Sequence, residues 1–463
     1  MKIKFTKQIN RLIIISLLFL FFQSCENLIE IDLPDDQINT EDVFKDIHTT
    51  QAALANLYIN IRQGSIFNGS FNGIGTILSL YCDDLDAFGS PNTPAANFDF
   101  YHNTLLSSNN TISNLWNTSY NHIYTINAFI DGLINSSSIE EENKSLFLGE
   151  AYFIRALYYH YLTQLFGNIP YITATDYKHN STVSKINSAE VLKHVENDLK
   201  ESLQLISGEY RNSERIYPNK TTAELLLAKN YLLQKQYMEA ERYAQTVIDN
   251  VWFKLETQDI NLVFKKTAQS TIWQLPPGDS GAPTLEASNY PFTNQPTLHH
   301  LSNDLIIGFE DNDKRKHNWI KEIISEESVW YHAYKYKNSN SNDDEYSIVF
   351  RIEDAYFVLI EALAYQNKIT EAVKYLNVIR QRAGLPELPD TLSQSELIDE
   401  MLSESRREFF CEQGHRFLDL KRNNQLNLLK TIKPNWEDKH TVFPIPENEI
   451  LINPNLLPQN HGY

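Results

Sequence analysis

The chain has 463 residues and a formal net charge of -19 at neutral pH, with 12% aromatic residues and 3 cysteines. A surface this acidic excludes nucleic acid and anionic lipid as charge-driven partners. So few cysteines make no disulfide framework, and Cys82 and Cys411 are expected to be free thiols; the length allows a sizeable core in one large domain or a few ordinary ones.

Lys2, Lys4, Lys7 and Arg11 precede an apolar run from Leu12 to Phe22, broken only by Ser16, and Gln23-Ser24-Cys25 follows. The run falls well short of the ~20 residues of a membrane-spanning helix. Its length and charge order are those of a secretory signal. Ser24 directly before Cys25 resembles a bacterial lipobox, in which the cysteine is diacylated and becomes the first residue of the mature protein. Residues 1–24 are therefore expected to be a signal peptide and 25–39 an acidic tether, with the covalent lipid on Cys25 as the membrane attachment.

Thr40 is expected to cap a helix that continues through Ala52 to Ile61, with Glu41 and Asp42 favoured by the helix dipole. Gly64, Gly69, Gly73 and Gly75 lie in a loop, without the strand, helix and lysine that a phosphate cradle needs. The stretch Ala87 to His102 reads as a loop crowded with Phe88, Phe98, Phe100 and Tyr101, equally able to face a ligand or to form a satellite cluster. Trp116, Tyr120, Ile123 and Asn127 share one helix face. Glu150 to Phe166 is a second, stronger helix, stopped by Gly167 with Pro170 beyond. A third runs from Ser188, its expected cap, to about Ile206.

Two later segments share one internal spacing. Leu227, Tyr231, Ala240, Ala244 and Val247 are separated by the same intervals as Leu359, Leu363, Ala372, Leu376 and Ile379. This is the tetratricopeptide pattern, in which small residues let the second helix of a hairpin approach the first. The predicted fold is mainly α: tetratricopeptide-like hairpins with long irregular insertions. The expected divisions are an N-terminal helical region over 40–250, an irregular aromatic-rich insertion over 251–350, and a C-terminal region over 351–463. From Pro434 the proline-rich tail is expected to wrap the frame in extended form.

Several blocks resemble the SusD/RagB family of outer-membrane lipoproteins. They are Glu150 to Pro170 (EAYFIRALYYHYLTQLFGNIP), Arg351 to Gly384 with its Arg380, Arg382, Ala383 and Gly384, Glu404 to Lys421 (ESRREFFCEQGHRFLDLK), and Phe443 to Tyr463 (FPIPENEILINPNLLPQNHGY). Ser405 stands where relatives often carry a basic residue, which reads as a surface change. The resemblance implies a helical fold exposed on the outer face of the outer membrane, and no chemistry. It also implies a SusC-like TonB-dependent transporter as partner, over which the lipoprotein is a hinged lid for captured nutrient.

Arg406, Arg407, Glu408, Glu412, Arg416 and Asp419 are expected to form structural ion pairs that fix the C-terminal wrap rather than a catalytic cluster. No metal is expected: His299, His300 and His415 lack a ligand set. Asp311-Asn312-Asp313 starts like a calcium loop, but Arg315 and Lys316 stand at the fifth and sixth positions. No cofactor is expected either. Sugar rings stack on aromatic faces while their hydroxyls need polar side chains. The ligand candidates in the aromatic loops are Asp83, Phe88, Tyr101, Trp273, Tyr290, Trp319 and Trp330. An oligosaccharide is the expected ligand. A peptide on the same architecture, a paired-carboxylate glycosidase and a protein-only scaffold are the alternatives.

Overall fold

The computed structural model describes residues 40–89 and 95–463. Cys25, the signal and the tether lie outside the described residues. A short helix α1 (Thr40–Val43) is followed by α2 (Ile47–Gly64), so the expected single helix is broken. Phe44 turns inward at the break and meets Phe129 edge-on at 5.6 Å, and Asp46 caps α2 by accepting from the His48 and Thr49 amides. Then come α3 (Ile74–Tyr81), β1 (Leu85–Ala87) and α4 (Ala95–Tyr101). The expected loop therefore contains a helix, which sinks Phe100 completely into the core.

The long helices α5 (Asn110–Asn135) and α6 (Glu141–Phe166) pack against each other. Helix α6 starts a full two turns before the predicted Glu150, with Glu141 and Glu142 in its first turn. It stops at Gly167, whose φ of +74° is left-handed backbone that glycine adopts without Cβ strain. After a one-turn helix α7 (Tyr177–Asn180), α8 (Ser188–Leu205) is capped by Asn187, one residue before the predicted cap.

The repeat pattern becomes two hairpins: α9 (Lys220–Leu233) with α10 (Tyr237–Ile248), and, further along, α14 (Ile352–Tyr365) with α15 (Ile369–Ala383). All ten patterned residues are buried, with the alanines at the close approaches. The hairpins are far apart in sequence but consecutive in space. Helix α10 packs on α14, Tyr237 stacks on Tyr365 at 4.8 Å, and Tyr375 donates to Gln245 at 2.9 Å.

Between them lie β2 (Thr271–Leu275), α11 (Leu285–Asn289), β3 (His299–Leu301), α12 (Asn303–Ile307), α13 (Lys314–Trp319), β4 (Ile320–Ser325), β5 (Ser328–Ala333) and β6 (Ser347–Arg351). Antiparallel pairing of Thr271 with Arg351 and Leu275 with Ser347 brings β2 and β6 together, so this stretch leaves and re-enters the frame at one place. The chain ends with α16 (Gln394–Phe409), α17 (His415–Arg422) and α18 (Glu447–Ile452). The tail is less extended than expected, since α18 and short 3-10 turns interrupt it. It lies on the end of α6: the Phe443 amide donates to the Leu165 carbonyl, and Asn460 to that of Phe166.

A buried charge network locks the insertion to the frame. Glu408 on α16 accepts from Arg351 at 2.5 Å, Arg382 at 2.5 Å and Arg315 at 3.0 Å. Neighbouring Glu404 pairs with Arg315, Arg380 and Arg407, while Asp313 holds the other side of Arg315. The predicted ion pairs are thus present, but they tie α16 to the insertion and, together with α17, to the turn after α3, where Arg406 reaches Asp83 and Asp84 and Arg416 on α17 reaches Asp83. Asp313 also caps α13, so no calcium loop forms there. Ser405 is buried and donates to Asp419 at 2.6 Å, which corrects its reading as a surface position. Cys82 and Cys411 are buried free thiols.

Burial pushes Glu404 up, but Arg315, Arg407 and Arg380 overcome this and hold it at about 2. A carboxylate depressed below its usual value, about 4.3, stabilises the fold above that pH, and the contribution is lost as pH falls through about 2. Urea unfolding from pH 6 down to pH 2 is expected to show a steep acid loss that Glu404→Gln flattens. Glu408→Ala, which takes one carboxylate partner from three buried guanidinium groups at once, is expected to cost about 3–5 kcal/mol. Leu363→Ala in the hairpin core is expected to cost about 2–5 kcal/mol. An unchanged melting temperature for Leu363→Ala would refute the packing described here.

Candidate functional site: an aromatic platform on two small sheets

Strand β1 pairs antiparallel with β3, placing Leu85 opposite Leu301, Asp86 opposite His300 and Ala87 opposite His299. Period-two alternation sends Leu85, Leu301 and His299 into the core and leaves Asp86, Phe88 and His300 on the other face, half-buried. The Phe88 amide donates to the Leu298 carbonyl at 2.8 Å, which continues the pairing past the strand and fixes where the Phe88 ring points.

The second sheet is a hairpin. Strands β4 and β5 pair in unbroken register from Ile320–Ala333 to Ser325–Ser328. Their two-residue turn, Glu326–Glu327, has both φ angles positive, as the favoured tight hairpin turn requires. The hairpin packs on β3, and that contact brings Trp330 onto the exposed face. Trp330 lies 5.1 Å from Phe88 and 4.8 Å from His300, both edge-on, and Phe88 lies 6.4 Å from His300. Three half-buried rings, one just past β1, one on β3 and one on β5, thus form one platform. Edge-to-face contacts hold each ring through its neighbours.

Tyr101 stands at the border of this platform. Its hydroxyl is pushed up to about 12, first by burial and then by the neighbouring Asp86 carboxylate. Asp86 therefore links the Tyr101 hydroxyl to the strand that carries Phe88. The Tyr101 ring also bears the Lys433 ammonium at 4.0 Å from its centre. On the outer face of the hairpin, Tyr331 donates to Glu322 at 2.9 Å.

The other predicted ligand residues are interior, and this corrects the expectation. Asp83 is buried and clamped by Arg416 at 2.8 and 2.9 Å. Despite its burial, Arg406 and Arg416 keep it below the usual carboxylate range. Trp273 is fully buried, meets Phe153 edge-on at 5.3 Å and donates its indole N–H to the Ile216 carbonyl. Trp319 is also fully buried, against Phe264, and donates to the Ile260 carbonyl. The Tyr290 hydroxyl is shared by Thr76 at 2.9 Å and the Cys411 carbonyl at 3.2 Å. Each large ring in an irregular segment has found both an apolar wall and a hydrogen-bond partner for its polar atom, and none presents a face to solvent. Sequence reasoning missed His300 and Asp86. The signal was the spacing of Asp86 and Phe88, which alternation places on one side of a strand.

Among the described residues no cluster of three or more His, Cys, Asp or Glu is arranged to hold a metal ion. A surface cleft of about 660 Å³ between Phe44 and the end of α5 contains none of the predicted ligand residues.

A family profile described as starch-binding and associating with the outer membrane matches residues 33–232, and a profile for the SusD family matches residues 307–463. The chain belongs to the SusD/RagB family. SusD-like protein P2 of Formosa agariphila is 26% identical over 91% of this chain and 94% of its own length. Among solved structures, a laminarin-binding SusD-like protein superposes with a TM-score of 0.76 at 21% identity, over 90% of this chain and 100% of its own. Surface glycan-binding protein A from Bacteroides thetaiotaomicron, in complex with laminarihexaose, superposes with a TM-score of 0.74 at 17% identity, over 89% and 99%. Across the SusD fold shared with these proteins, the tetratricopeptide-like helices form the frame. Among the described residues no helix is long and apolar enough to cross a membrane.

Proposed function

We propose that this protein is a non-enzymatic, cell-surface glycan-binding lipoprotein. It captures oligosaccharides and passes them to a SusC-like TonB-dependent transporter, over which it acts as a lid. The observation that carries the binding role is the platform of Phe88, His300 and Trp330, with Asp86 at its edge. Sugar rings present C–H faces to such surfaces, and a nearby carboxylate accepts from ring hydroxyls. Structural relatives that bind laminarin or laminarihexaose support the ligand class, and family membership supports the outer-membrane setting. The lipid on Cys25 supplies the anchor, and the transporter partner follows from the family resemblance.

Titration calorimetry of the purified protein against plant, host and microbial oligosaccharides and a peptide digest tests the reading. Trp330→Ala is expected to weaken glycan binding about tenfold or more, the scale of one lost stacking contact, while the melting temperature stays within a few degrees. Heat from the peptide digest alone would replace the glycan reading with a peptide one. Cys25→Ala is expected to move the protein from the membrane to the soluble fraction; retention in the outer membrane would sink the anchor.

A further inference from the structure

A concave surface elsewhere shares no lining residue with the platform. It is a cleft of about 260 Å³ between the end of α2, the turn that follows it, and the first turns of α5. Its lining includes Gln63, Asn72, Asn114 and Thr118, and it contains no Asp, Glu, Lys, Arg or His. In a chain of which 21% is charged, a concave patch built from amides and hydroxyls is a distinct chemical environment.

The floor is rigid. Asn68 donates to the Ser65 carbonyl at 2.8 Å and accepts from the Ser70 amide at 3.0 Å, while the Ser65 hydroxyl donates to the Ile61 carbonyl at 2.6 Å. The turn closes so tightly that a Cβ on Gly73 would fall 1.7 Å from the Asn68 carbonyl oxygen. The rim is the reverse. Gln63, Asn72 and Asn114 are exposed, Thr118 is half-buried, and among the described residues no hydrogen bond engages any of these side chains. The floor fixes the shape of the cleft, while the rim donors and acceptors are free to turn toward a polar ligand, which must offset the cost of ordering them.

We infer that this cleft is a carbohydrate subsite for the hydroxyls of an uncharged sugar, separate from the aromatic platform. The inference rests on the glycan reading above and narrows it to neutral saccharides. An Asn or Gln amide offers one acceptor and two donors, which matches a pair of adjacent hydroxyls. A uronate or sulfated sugar would lose hydration here without any cation to replace it, beside a chain whose net charge is -19. The volume is below the ~300–1,000 Å³ of a complete small-molecule site, so the cleft takes one end or branch of a longer glycan.

The test is calorimetry with laminari-, cello-, malto-, xylo- and mannohexaose and with an oligogalacturonate. It compares the intact protein, Trp330→Ala, and the double variant Asn72→Ala/Asn114→Ala, each checked by melting temperature. The double variant is expected to lose about tenfold in affinity for the neutral hexaose that the intact protein binds, as two or three lost hydrogen bonds imply. Unchanged affinity in the double variant, with a loss in Trp330→Ala, overturns the subsite and leaves the platform standing. Binding of the oligogalacturonate alone overturns the neutral class while the glycan reading survives. Binding of no saccharide at all overturns both.

Discussion

The junction between the irregular insertion and the helical frame is built around a carboxylate that never sees solvent. Glu408 is fully buried and takes guanidinium groups from three different places: the insertion (Arg315), the strand that closes the insertion (Arg351) and the hairpin helix α15 (Arg382). Such a cluster is costly to desolvate, and a hydrophobic substitute of equal shape would often be as stable. What it adds is geometry. Planar, forked guanidinium groups tolerate few arrangements around a carboxylate, so the network sets the angle at which irregular chain meets regular frame.

The frame itself is stabilised by ordinary burial. Its hairpins stack through close-packed alanine and leucine, and α10 finds α14 although the intervening chain is long. Local helical contacts can form early, and the insertion needs only to be closed at its base by β2 and β6. The two small sheets that carry the platform then rest on a surface already fixed. Phe88 comes from the N-terminal part of the chain and His300 and Trp330 from the insertion, so the platform exists only when both parts have docked.

The helical frame was legible because its signal is periodic. The five-residue pattern at Leu227 and again at Leu359 fixed both hairpins, and Gly167 marked the end of α6. The sites of failure were aperiodic. Trp273 and Trp319 looked like ligand residues because they sit among prolines and polar runs, yet each is buried by chain that is distant in sequence, and no local pattern encodes that. Asp83 is of the same kind, since its partners lie more than 300 residues away at Arg406 and Arg416. Ser405 misled for another reason: a position where relatives often carry a basic residue reads as surface, whereas here the serine completes a buried bond to Asp419. Phe88 and Trp330 were named as candidates and do lie side by side, but nothing in the sequence said that they meet each other, or that His300 joins them.

The pairing of β2 with β6 has a consequence for how such a protein can change. A loop anchored at one narrow base alters the stability of its host only slowly with its length, by about 0.6 kcal/mol for each doubling. The segment between those strands has fixed points, Arg315 and the buried indoles, and free ends, notably the turn at Glu326–Glu327. Residues can be added, removed or exchanged at that hairpin without disturbing the helices beneath it. The base works as a socket, and what is plugged into it can be exchanged while the frame beneath stays as it is.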